Sequence, residues 1–164
     1  MTQQDWQLYF SSLAAQHRQI RHTSTDRHFF RCELDEFFAG FRSKVHFPAL
    51  IMESTLIDVE GQPTNRQLLR TLAIIVAQDH TRDDWNDIAA ALADCETIGL
   101  DILGRLQMDM AAGTVPSLTS TRLTDIHGEP IANGPGRYVG WRFEFVVQEP
   151  LCMYHPNNWT HENN

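Results

Sequence analysis

Few groups of side chains in this sequence have the types and spacing that chemistry needs. Asp83, Asp84 and Asp87 set two carboxylates at i and i+4 on one helical face, where they could share a divalent cation. At a helix start such acids are already explained by the exposed N–H groups and the dipole, which favour negative charge there. Asp125, His127 and Glu129 alternate as side chains at a strand end do, bringing two carboxylates and an imidazole onto one face. They run into the glycine- and proline-rich HGEPIANGPG, so a polar hairpin tip is the simpler reading. His22 and His28 lie in the polar stretch RHTSTDRH, without a spacing that aims two imidazoles at one metal, and are expected to be solvated loop histidines. Cys32, Cys95 and Cys152 stand far apart with no paired spacing and read as reduced, buried thiols. The sequence has no phosphate-binding glycine loop between a strand and a helix, no HExxH, no CxxC and no serine in a GxSxG turn. No catalytic residue, cofactor or metal is therefore assigned, and the chain is expected not to be an enzyme.

The elements that carry these residues are ordered around one long helix. From Thr81 to Ala112, the residues Trp85, Ile88, Leu92, Cys95, Gly99, Ile102, Leu106 and Met110 recur at helical spacing and predict a buried stripe. Thr81 with Asp84 has the form of a capping pair, and Gly113 followed by Pro116 ends the helix. Its other face carries Asp83, Asp87, Asp94, Glu96, Asp101 and Asp109 against Arg82 and Arg105. That face repels nucleic acid. The formal net charge of -8 points the same way, whereas Arg18, Arg21, Arg27, Arg31, Arg42 and Lys44 leave residues 1–50 nearly neutral.

With 164 residues, 42% hydrophobic and 21% charged, the chain reads as a single globular domain without a membrane span. MTQQDWQLYF lacks the basic start and apolar run of an export signal, so a cytoplasmic product is expected. Residues 1–27 read as an N-terminal helix and a mobile loop, 28–150 as an α+β core, and 151–164 as a tail. Trp6, Tyr9, Phe10, Leu13, His17 and Ile20 predict the first helix over 3–20 with one aromatic face. Phe29, Phe30, Leu34, Phe37, Phe38 and Phe41 predict a short strand and a short helix over Leu34 to Arg42. A proline-led strand from Phe47 to Asp58 then turns at Gly61 and Pro63 into Leu68 to Asp79, apolar on both faces as a central strand is. Beyond the long helix, SLTSTRLTDI reads as a strand and HGEPIANGPG as a loop or arm. In RYVGWRFEFVVQ, Val139, Trp141, Phe143, Phe145 and Val147 alternate with polar residues, so one face is buried, as the seat of the long helix. The predicted fold is α+β: a four-stranded sheet, antiparallel or mixed, against one long amphipathic helix, plus the N-terminal helix.

This order, carried by the strand from Phe47 to Asp58, the strand Leu68 to Asp79 entering the helix, and GRYVGWRFEF, resembles the tail-terminator and neck proteins of long-tailed bacteriophages. The resemblance implies a structural role in a hexameric ring that contacts tail-tube protein on one side and a head-to-tail connector on the other. It also implies a virion location after synthesis in the host cytoplasm. Aromatic termini and the glycine-proline arm suit such a ring, so Trp6, Tyr9, Phe10, Gly134, Pro135, Tyr154 and Trp159 are the expected interface residues. The alternative is a cytosolic homo-oligomeric binding module with a pocket between helix and sheet.

Overall fold

In the computed structural model the described residues are 1–32, 45–62, 65–81, 84–115, 118, 120–131 and 138–151. Helix α1 is Gln3–Gln16 and helix α2 is Trp85–Ala112; the strands are β1 Phe29–Arg31, β2 Ala49–Met52, β3 Leu56–Gln62, β4 Asn65–Asp79, β5 Arg122–Ile131 and β6 Tyr138–Pro150. The short helix expected over Leu34 to Arg42 lies outside the described residues.

The strands form one six-stranded sheet in the order β1-β2-β4-β6-β5, with β3 also on β4. β1 is parallel to β2, and every other pairing is antiparallel. The fold is therefore α+β, with six strands among the described residues rather than four. Two of the six, β2 and β3, come from one expected strand. β2 and β3 share an edge of β4, with Met52 opposite Ile74 and Leu56 opposite Thr71. Three residues, Glu53 to Thr55, thus face two on β4, and a bulge divides the strand read as Phe47 to Asp58.

β4 is central and covered on both sides, as its doubly apolar sequence predicts. Leu72, Ile74 and Val76 join the core beneath the helices, while Ile75 and Ala77 join a second cluster with Phe30, Ala49 and Ile51. β6 sends Phe143, Phe145 and Val147 into the first cluster, where Ile98, Ile102 and Leu106 of α2 meet them. Its opposite face bears Arg142, which binds Glu53 and Glu144 at 2.9 Å each. Burial alone would lower the pKa of that guanidinium, but the hydrogen bonds and charges of Glu144 and Glu53 raise it.

The 28 residues of α2 span about 42 Å at 1.5 Å per residue. It begins later than expected, because Asp84 and not Thr81 is the N-cap: the Asp84 carboxylate accepts from the N–H groups of Asn86 and Asp87. Gly113 closes it at φ 61°, a left-handed turn that glycine adopts without strain. The buried stripe is Ala91, Cys95, Ile98, Gly99, Ile102, Leu103 and Leu106, while Trp85 stands in solvent. α1 is shorter than expected and ends at Gln16, although Ile20 is still buried. β5 runs through His127 to Ile131, where a loop was expected. An edge strand tolerates Pro130, and Gly128 makes room for the ring of Phe143 opposite it.

Candidate functional site

The residues expected to bind a neighbour are divided by the structure. Trp6 and Phe10 are fully buried in the chain's own core. Their rings stack 5.9 Å apart, and Phe10 lies 6.3 Å from Phe145 of β6. They have no surface left to offer another chain, which corrects their expected place at an interface. Aromatic area near a terminus is here covered by the domain's own sheet. Tyr9 is half-buried, and its hydroxyl donates to Asp109 Oδ2 at 2.9 Å. Burial first, and then this bond to a carboxylate, pushes the tyrosine pKa well up. Gly134, Pro135, Tyr154 and Trp159 lie outside the described residues.

Asp109 is likewise not on the acidic solvent face. It is buried, and it accepts from Arg105 Nε at 2.9 Å and Thr114 Oγ1 at 3.0 Å besides Tyr9. Asp94, Glu96 and Asp101 do remain exposed on that face. Of the acids at the helix start, Asp84 caps and Asp87 accepts from the backbone N–H of Thr81 at 2.5 Å, which lowers its pKa; Asp83 lies outside the described residues. Asp125, His127 and Glu129 are all exposed and are not assembled into one cluster. A register shift falls between Thr124 and His127, with Asp125 at φ 51°, and Glu129 turns to Arg142 at 3.7 Å. Cys95 is buried, and burial raises its thiol pKa to about 12.

Among the described residues the fold leaves Leu8, Leu100, Met108 and Ile126 exposed as separate apolar side chains, and leaves apolar surface most prominently uncovered at two places. All seven residues of β3 are exposed, with Leu56 at 68%, Ile57 at 54% and Val59 at 47%. In register, Ile57 lies opposite Arg70 and Val59 opposite Leu68, so both project on the helix side of the sheet, while Asp58 and Glu60 project on the other. β3 has neither lysine nor proline to discourage pairing along its outer edge. The opposite edge strand, β5, has both a bulge and Pro130. The second place is Trp85, 81% exposed at the first turn of α2. β3 pairs with the first half of β4, and Trp85 follows the far end of β4, so the two lie toward opposite ends of a strand about 45 Å long.

Sequence periodicity counted Trp85 into the buried stripe because it is in phase with Ile88 and Leu92. Its position directly after the cap was the missed signal, since a first-turn residue can lie past the sheet's margin. The exposure of β3 had a weak sequence signal in the alternation Leu-Ile-Asp-Val-Glu. Clefts open at the bulge, about 350 Å³ beside Glu53, Thr71 and Arg142, and between the helices, about 160 Å³ beside His17, Asp101 and Arg105. Neither described helix is long and apolar enough to cross a membrane. Compared with known proteins, the chain matches no family, and no curated protein matches it.

Proposed function

We propose that this chain is a structural subunit that assembles head to tail with copies of itself into a closed ring, as a tail terminator or neck component of a phage-like particle. In that role it joins the tail tube to the head connector and catalyses no reaction. The observation that carries the reading is the pair of unlike apolar surfaces, the β3 edge and Trp85, toward opposite ends of β4. An isologous dimer would need one self-complementary patch, whereas two different patches on one molecule suit a heterologous contact that closes as a ring. Large exposed apolar groups on a soluble protein mark interaction sites, and tryptophan is among the strongest anchors.

The ring itself, its hexameric number and its tail-tube and connector partners rest on the resemblance of element order. The exposed acids Asp94, Glu96 and Asp101 suit a surface past which DNA moves without being held. The competing binding module would need space between helix and sheet. There the ring of Phe143 fills the room beside Gly99, which favours the structural reading.

The test is the mass of the assembly. Light scattering should find the full chain as a discrete oligomer and its Trp85→Lys variant, unchanged in circular dichroism, as a smaller species. A variant that assembles like the parent would remove Trp85 from the contact.

A further inference from the structure

Parallel pairing of β1 with β2 brings the residues that precede the two strands to the same end of the sheet. Asp26 and His28 come from the loop before β1, and His46 from the segment before β2. One donor atom of each, a carboxylate oxygen and two imidazole nitrogens, lies within 4.8 Å of the others. Asp26 Oδ1 is 3.2 Å from His28 Nε2 and also meets His46 Nδ1. The two imidazoles stand edge to face with centroids 5.7 Å apart.

The other nitrogen of His28 decides its tautomer. Nδ1 lies 2.9 Å from the carbonyl oxygen of Pro48, which can only accept, so Nδ1 carries the hydrogen. With one hydrogen on the ring, held at Nδ1, Nε2 points a lone pair at a carboxylate oxygen. Two acceptors at that distance repel unless a proton or a cation stands between them. Asp26 Oδ1 is shielded from solvent and, beyond the two imidazole nitrogens it meets, has no hydrogen-bond partner.

His28 is not the solvated histidine that its loop suggests, being only 7% exposed. Its backbone N–H donates to His22 Nδ1 at 3.1 Å, and that of Phe29 to the same atom at 3.3 Å. The loop is further closed by Asp26 N–H donating to Thr23 Oγ1 at 2.9 Å. A buried imidazole whose far nitrogen is fixed by a backbone carbonyl is the arrangement that orients metal ligands. Asp26 and His46 keep side-chain exposures of 50% and 58%, so an ion and a further ligand can enter from solvent.

We propose that Asp26 Oδ1, His28 Nε2 and His46 Nδ1 form a site for a divalent first-row transition-metal ion of the Zn2+ class, with three protein ligands and an open position. Two imidazoles and one carboxylate suit such ions, whereas Mg2+ and Ca2+ favour oxygen ligands alone. Bound there, the ion clamps the loop after α1 to the entrance of β2. No spacing rule shows the site in the sequence, because its third ligand lies far along the chain and arrives through strand pairing.

The experiment titrates the full chain with Co2+, read by visible absorption, and with Zn2+, read by calorimetry. One equivalent should bind, and Zn2+ should displace the Co2+ spectrum. His46→Ala and Asp26→Asn, both at exposed positions, should each weaken binding about tenfold or more while circular dichroism stays unchanged. His80→Ala should bind as the parent does. Absence of one-equivalent binding, or binding undiminished in His46→Ala and Asp26→Asn, overturns the proposal.

Discussion

The ring of Phe143 occupies the space where Gly99 has no side chain. A Cβ at residue 99 would stand 2.8 Å from Cζ of that ring and nearer still to Cδ2 and Cε2. The same ring lies against Gly128 of β5, where a Cβ would be 3.1 Å from Cε1. One aromatic side chain on β6 thus sets how closely α2 approaches the sheet and covers Gly128 on the neighbouring strand.

Gly99→Ala and Gly104→Ala should therefore change stability in opposite directions. Alanine in a helix gains about 1 kcal/mol over glycine, while overpacking costs about 1–3 kcal/mol, so at residue 99 the clash wins. At residue 104 a Cβ meets nothing within 4 Å, and the gain of about 0.5–1 kcal/mol remains. Urea denaturation of both variants checks the signs. Stabilisation by Gly99→Ala would mean that Phe143 is seated elsewhere.

Phe10→Ala should cost about 3–5 kcal/mol, the usual loss for a buried phenylalanine ring. Removal of residues 1–16 should abolish cooperative unfolding rather than release a folded subunit, because Trp6 and Phe10 belong to the main core. Thermal melts followed by circular dichroism read both. A truncated chain that melts like the parent would detach α1 from the core.

Asp109 should make stability depend on pH in acid. Burial alone would raise its pKa, but hydrogen bonds from Arg105, Tyr9 and Thr114 outweigh that and lower it below the ordinary 3.8. A carboxylate depressed in the folded state stabilises fully above its unfolded value and loses that contribution as pH falls through the folded one. Asp109→Asn should thus lose about 1.5–3 kcal/mol at neutral pH, with the difference from the parent shrinking in strong acid. Parallel melting curves across pH are the check. A gap between parent and variant that stays constant into strong acid would contradict the assignment.

Cys95 should resist thiol reagents in the native chain, since it is buried and its thiol pKa is raised to about 12. Peptide mapping after labelling with and without denaturant measures this. Rapid native labelling of Cys95 would place it outside the core.

Elements with strong period were legible in the sequence. The alternation from Val139 to Val147 gave the buried face of β6, and the doubly apolar run of β4 gave its central place. What was illegible depends on where elements end and on what lies beside them. Trp85 has the phase of a buried residue, yet the cap at Asp84 leaves it in solvent. Asp109 has the type of a surface residue, yet Tyr9, a hundred positions away, reaches it. The division of β2 from β3 rests on a one-residue mismatch with β4, which no composition reveals. The meeting of His28 with His46 needs the parallel β1–β2 pair, and three-residue β1 has too little sequence to predict it.

Head-to-tail assembly through the β3 edge and the Trp85 end is tested most directly by mixing two chains, each blocked at one surface. Ile57→Lys charges the apolar face of β3, and Trp85→Lys removes the exposed ring; both sites are solvent-exposed, so each variant should keep its fold. Each alone should fail to assemble, because every contact needs one β3 edge and one Trp85. The mixture retains one intact surface on each partner and should form a dimer and stop there, as native mass spectrometry would record. Variants that assemble fully by themselves, or an equimolar mixture that stays monomeric while the parent forms oligomers, would contradict the pairing of these two surfaces.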